Sequence, residues 1–475
     1  MSGRLKRSLG ERGLFCMAFG SIIGIGWVTV LGSWLQAAGP LGAALAFALG
    51  GALMLAVALC YAELTAALPV AGGEIAFSYR AYGTAKAFWV GWLLAFGYLS
   101  VSAFEAAAVG RVLAYLWPSL PGPVVYSIFG SDVRAGSLFC GLLFTAILTW
   151  LNHRGVGLSM AVQTVLTIFL IGAGILFAGA GFAAGRLENL QPLLASNDMA
   201  AAGRGILLVF VTVPLWFVGF DTIPQVAEEA HADVSPKRLG RIILTSVAWA
   251  TVFYVGVILA ASAVSPWPAL VGETLPTATA FRRAFAAPFM ADLVLWAAVA
   301  GLVTSWNGFF VAGTRVLFAL GRARMVSPRL GAVHGRHGTP HAAVWLAGAV
   351  TAVSCLLGEK ALTAFVNVSS VCLAAAFFGV ALSARSLRRS APELPRPYRM
   401  PAGPLVAFIA AAGSLLICLA LIVPSSPAAL RWPLEWLLFG GWCLLGVVLW
   451  GVARPVREAI SESERARLVL SPDQQ

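Results

Sequence analysis

Stretches of roughly 20 apolar residues, each closed by charges or prolines, dominate this chain and leave few folds open to it. Twelve can be marked off, at 13–37, 41–66, 85–117, 135–152, 156–184, 206–230, 240–264, 290–320, 341–358, 361–384, 404–424 and 434–453. In hydrocarbon every backbone N–H and C=O must be paired internally, so runs of this length are expected to be helices. Of the 475 residues 59% are hydrophobic and 11% charged, where a soluble domain would carry roughly a quarter charged residues. A multi-pass membrane protein is the expectation, with membrane lipid as a partner.

The basic start, MSGRLKRSLGERG, precedes an apolar run too long for a signal-peptide core, and no small-residue cleavage site ends it. Net charge is +12. In a soluble protein that surplus would raise nucleic acid as a partner. Here loop asymmetry explains it, and no nucleic acid is expected. With the N-terminus inside, 23 Lys and Arg fall in inner segments and 7 in outer ones. Both termini are therefore expected in the cytoplasm, at a bacterial inner or plasma membrane. Only 4 of the basic residues are lysines, a bias that resembles a GC-rich bacterial genome.

Seven cysteines lie singly in apolar stretches without C-x-x-C spacing, so they predict neither disulfides nor a metal site. The five histidines fall at or near inner loops, and their spacing gives no ligand cluster. No Ser/His/Asp set, metal cluster or phosphate loop is evident, so neither an enzyme nor a cofactor is expected.

Within the first run, GSIIGIGWV at residues 20–28 places three glycines in seven positions. Each costs a helix about 1 kcal/mol against alanine. The spacing is not that of a dinucleotide fingerprint, and no strand precedes it. Gly20 and Gly24 fit a helix-packing face. The alternative is a discontinuous helix whose unwound middle lines a buried site. That reading requires a partner break, and the sixth run offers one. In LLVFVTVPLWFVGFDTIPQVAEEA, Pro214, Gly219 and Pro224 interrupt the pattern. Asp221 is placed to N-cap a second half-helix there, and as an acid near mid-span it is also a coupling or gating candidate. Breaks in runs one and six imply two repeats of five spans, inverted if the fold is of the transporter type.

Six segments now carry a resemblance. GSIIGIG is similar to a first-span G-S-x-I-G-x-G, and YAELTAALPVAGGEIAFSYRAYG (61–83) to a second-span end with its loop. LNHRGVGLSMAVQ (151–163) looks like the start of a fifth span, and FVGFDTIPQVAEE (217–229) like a broken sixth. GTRVLFALGRARMVSP (313–328) looks like an eighth-span end, and PRPYRMP (395–401) like the approach to an eleventh. In this order they resemble the amino acid–polyamine–organocation (APC) transporter superfamily, from about Gly10 to Pro404.

The resemblance implies an all-α integral membrane protein of about twelve transmembrane helices. It implies a LeuT-like five-plus-five inverted repeat with discontinuous helices one and six, plus two extra C-terminal helices. The corresponding divisions are a tail at 1–12, repeats at 13–185 and 206–386, the extra helices at 404–453 and a tail at 454–475. The function implied is a permease moving amino acids or related amines by alternating access, as ion-coupled symport or exchange. A channel or non-transporting receptor is the rival class. A polyamine or organocation exchanger is the rival among carriers.

The resemblance also assigns contacts. Amides around Gly24, Ile25 and Gly26 would hold a carboxylate. Carbonyls around Ile22 and Ile23, and of Trp216, Phe217 and Val218 before Gly219, would hold an ammonium. Ile25 replaces the small hydroxyl residue that the family often places there, so only main-chain contacts carry over. Ser21 lies outside the glycine pair, with a backbone carbonyl as its expected partner.

Intramembrane acids are costly and therefore functional candidates. Glu105 is the deepest, as a proton carrier or cation contact, with an interhelical hydrogen bond as the alternative. Glu63, Glu228 and Glu229 lie near inner helix ends, where arginines of the inner loops could seal a gate. Trp306 is a candidate pocket wall. The fifth span, VGLSMAVQTVLTIFLIGAGILF, lacks the lysine that some family members place there. Coupling to sodium, to a proton through an acid, or pure exchange all remain open. Thr164 and Thr167 are either polar lining or interhelical glue. The apolar surroundings of the breaks lean toward a neutral amino acid.

Overall fold

The computed structural model describes residues 5–285, 288–426 and 428–470. Eleven of its helices are long and apolar enough to cross a membrane, and the shorter apolar helix His341–Ser354 occupies the ninth predicted place. The first run is split into Glu11–Ile22 and a second half that begins at Gly26. That half continues to Gly39, whose φ of 71° lies in the left-handed region that favours glycine. Pro40 follows, and the second span runs on to Ala67. The sixth run is split into Met199–Trp216 and the short helix Thr222–Val226. The third, fifth, seventh and eighth spans are the unbroken helices Thr84–Leu116, Val156–Ala184, Pro236–Val264 and Pro288–Arg322.

The described N-terminal and C-terminal segments, from Leu5 and up to Leu470, pack on one face. The backbone N–H of Lys6 donates to the Gly338 carbonyl at 3.2 Å, in the loop after the eighth span. The C-terminal stretch is helical over Glu462–Leu470. There Tyr79 and Thr84 donate to the Glu462 carboxylate at 2.7 and 2.9 Å. Thr84 opens the third span, so that span's far end, near Tyr115, lies on the opposite face.

The spans differ in how much they bury. The last, Leu434–Val452, leaves Leu437, Leu444 and Val448 exposed, as a lipid-facing helix does. It is anchored by Trp442, which stacks on Trp92 with ring centroids 4.0 Å apart. Each indole N–H donates to the other residue's carbonyl.

One element was not anticipated. Between the third and fourth spans, Val124–Ile128 and Ser131–Arg134 pair antiparallel. Phe129 and Gly130 turn the hairpin with φ of 49° and 71°. Positive φ at both central residues is the turn that matches strand twist. The β-branched and aromatic run VVYSI and the F-G dipeptide were the signal, hidden beside much stronger helical runs.

Candidate functional site

Between the two half-helices of the first span, Ile23, Gly24 and Ile25 are not helical. Gly24 N–H still donates to the Ile22 carbonyl at 3.1 Å. Among the described residues, the N–H groups of Ile25 and Gly26 have no backbone acceptor. They stand at the start of the second half-helix, where free N–H groups and the positive dipole end favour an anion. In the sixth span, residues 217–221 form the break.

The breaks touch. Gly219 has φ of 139°, and a Cβ there would lie 2.6 Å from the Ile22 nitrogen. Across the break in the first span stands Gly301 of the eighth, where a Cβ would lie 2.8 Å from the Gly24 carbonyl oxygen. Glycine at both places permits the close approach of backbones. The Tyr254 hydroxyl, from the seventh span, lies 3.1 Å from the Ile22 carbonyl and 3.2 Å from that of Trp216. One phenolic proton thus serves the C-terminal ends of both leading half-helices.

A cavity of about 460 Å³ opens beside this junction. Ile22, Gly24, Ile25, Gly26, Trp216, Val218 and Glu105 line it, so these seven predicted residues are brought together. Tyr115 and Thr274 also line it, so it extends toward the face opposite the termini. Glu105 is 5% exposed. Its Oε1 accepts from Ser305 Oγ at 2.8 Å, while Oε2 has no hydrogen-bond partner among the described residues.

Several expectations are corrected. Trp306 is no pocket wall: it is fully buried, and its indole N–H donates to Ser102 at 3.0 Å. Its neighbours Ser305 and Phe309 face the cavity instead, because successive helical residues point about 100° apart. Ile23 and Phe217 are buried away from the cavity, Phe217 against Tyr254. Asp221 precedes the second half-helix but does not cap it with its side chain. Its carboxylate instead accepts from the Gly219 N–H at 2.7 Å and the Tyr98 hydroxyl at 2.8 Å, which fixes the break. Ser21 donates to the Met17 carbonyl at 2.6 Å, as expected.

Glu228 and Glu229 lie at the face of the termini, away from the cavity. Glu229 takes a bidentate pair from Arg315 at 2.7 and 3.0 Å, and Arg322 donates to Glu228 at 2.8 Å. Both arginines belong to the end of the eighth span rather than to a loop. Arg388 of the tenth span and Arg396 beyond it engage Glu63.

The fifth span contributes neutral groups only. Thr167 donates to the Cys16 carbonyl at 3.0 Å, so it links helices, while Thr164 bonds within its own helix. Gln163 bonds Thr304 and Asn307 of the eighth span.

Tyr254 and Ser305 carry no mark in the sequence. A tyrosine or serine within an apolar run gives no signal until the backbones it meets are known to be broken. The histidine expectation also fails: His153, His334 and His337 come together.

Two broken helices meeting beside a mostly apolar cavity in a membrane bundle define a carrier-type transport protein. The amino acid permease family model matches residues 9–449, and the chain belongs to that family. It is a permease, not an enzyme. It is 28% identical over 442 residues to the branched-chain amino acid permease BcaP of Bacillus subtilis (strain 168), covering 92% of each chain. It is 27% identical over 460 residues to the methylthioribose transporter of the same organism, covering 94% of each. The BcaP permease of Lactococcus lactis subsp. cremoris (strain MG1363) is 27% identical over 456 residues, covering 93% of each.

Proposed function

We propose that the protein carries a neutral amino acid across the cell membrane by alternating access. The observation that carries this reading is the meeting of both helix breaks at one cavity that also holds Glu105. A zwitterion must shed water to enter, and each of its charges needs a replacement partner. The N–H groups of Ile25 and Gly26 serve its carboxylate. The carbonyls of Ile22 and Trp216, released or shared by Tyr254, serve its ammonium. Ile25, Val218, Phe309 and Trp216 surround an apolar side chain, and the similarity to branched-chain amino acid permeases favours the same substrate type. The first and second five-span halves act as repeats, with the helices that carry the breaks moving against the rest.

Thermal shift of the purified protein across amino acids and amines tests the substrate. Leucine, isoleucine or valine should stabilise it. Stabilisation by polyamines alone would overturn the neutral assignment.

Glu105 is the coupling acid in this reading, because one carboxyl oxygen is buried at the cavity without a hydrogen-bond partner among the described residues. Glu105→Gln should abolish pH-driven accumulation in proteoliposomes while exchange of labelled for unlabelled substrate continues. An unchanged pH profile would reduce Glu105 to an interhelical bond with Ser305.

The face of the termini is cytoplasmic in this reading. Single cysteines placed in 322–340 and 385–403, in a cysteine-free background, should resist impermeant reagents in intact cells. Those in 185–204 and 266–288, of which residues 286 and 287 lie outside the described residues, should react. Labelling of both basic loops from outside would reverse the orientation.

A further inference from the structure

Four of the chain's five histidines gather in one patch at the face of the termini, outside the transport cavity. His153 lies in the last turn of the fourth span, Ala135–Arg154. His334 and His337 come from the loop after the eighth span, and His341 opens the ninth. His153, His334 and His337 each present a ring nitrogen, all within 4.8 Å of one another. Their ring centroids are 4.7 to 5.5 Å apart, and His341 lies 5.6 Å from His334.

Backbone bonds hold this arrangement. Thr339 donates from its hydroxyl to the His153 carbonyl at 3.0 Å, tying the loop to the fourth span. His334 N–H donates to the Thr339 carbonyl at 2.8 Å, and Gly338 N–H returns to the His334 carbonyl at 2.8 Å. The His337 N–H donates to His334 Nδ1 at 3.3 Å, a long bond that an incoming metal ion would displace to take that lone pair. His153 Nδ1 is buried with no hydrogen-bond partner among the described residues. Packing alone accounts for the contact of His153 with Trp345, at 5.7 Å, but not for that unpaired nitrogen.

The surroundings select the ligand. Lys6, Arg154 and Arg336 line the small cavity that adjoins His337. These cations disfavour any dication held by charge alone, and the three-histidine donor set offers nitrogens where Ca²⁺ and Mg²⁺ want oxygen ligands. Neutral imidazoles suit borderline ions that form directed bonds to nitrogen. A tetrahedral Zn²⁺ with bonds of about 2.1 Å needs its nitrogens roughly 3.4 Å apart, a contraction that ring rotation can supply.

We propose that His153, His334 and His337 form a site for a borderline transition-metal dication, Zn²⁺ foremost, with water or His341 as fourth ligand. The bound ion ties the end of the fourth span to the loop after the eighth. Through Gly338 and Lys6 it also braces the N-terminal segment leading to the first broken helix.

Zn²⁺ titration of the full chain, purified without a histidine tag and followed by calorimetry, tests this. One ion per chain should bind, and Co²⁺ in its place should give the visible absorption of tetrahedral nitrogen ligation. His337→Ala and His334→Ala change a loop and should fold, and each should weaken binding at least tenfold, about 1.4 kcal/mol. His153→Gln should do the same, and His231→Ala should bind as the parent does. Failure to see one-to-one binding, or affinity unmoved by His337→Ala and His334→Ala, would overturn the site.

Discussion

Gly26→Ala should cut substrate affinity by about tenfold or more, about 1.4 kcal/mol, while the protein still inserts and purifies. A Cβ on Gly26 would run into the six-membered ring of Trp216. That ring borders the cavity and meets Trp34 edge-on at 5.3 Å, while its N–H has no hydrogen-bond partner among the described residues. It would yield into the space the ligand needs. The other two glycines of GSIIGIG should respond differently. A Cβ on Gly24 would sit 3.4 Å from Ser305 Oγ and 3.7 Å from Glu105 Oε1, ordinary contact distances. Gly24→Ala should therefore spare stability and lower affinity by filling the cavity. A Cβ on Gly20 would come within 2.5 Å of Thr167 Oγ1 and 2.9 Å of Gln163 Nε2. Gly20→Ala should lower the melting temperature, because Gly20 packs against the fifth and eighth spans. Affinity and melting temperature measured together separate these cases. If all three variants keep affinity within about twofold, roughly 0.4 kcal/mol, the carboxylate does not bind here.

Arg315→Met should produce the largest loss of stability, about 3–5 kcal/mol, because it strands a buried carboxylate. Arg315 and Glu229 both have 0% side-chain exposure. The guanidinium also donates to Thr314 at 2.8 Å, so the pair is fully engaged on that side. Replacing both partners, as Arg315→Met with Glu229→Leu, should recover most of the loss, since an apolar pair leaves no charge unpaired. The pair joins the end of the sixth span to the end of the eighth. The double variant should therefore open more readily at that face, seen as faster labelling of a cysteine below the cavity. Equal melting temperatures for the parent and Arg315→Met would contradict the assignment.

The spans were legible because each is long, apolar and bounded by charge or proline. The breaks were legible because clustered glycine and proline weaken a membrane helix at the depth where an unpaired peptide group costs most. Side-chain direction was not. Trp306 and Ser305 are adjacent in sequence, and only the rotation of the eighth span decides which one meets the cavity. Asp221 was placed correctly at the start of its half-helix, yet its partners, Gly219 and Tyr98, depend on a sharp local bend and on a residue 123 positions away. The histidines show the same limit. His153 and His337 are remote in sequence, and loop geometry alone brings them together.

Counterflow into proteoliposomes is the decisive measurement for transport by alternating access. Vesicles loaded with unlabelled leucine, isoleucine or valine should accumulate the labelled amino acid transiently, with uptake that saturates and rises with the internal load. Carriers exchange in this way because the site faces one side at a time. Flux that neither saturates nor responds to internal substrate would contradict alternating access and point to a channel.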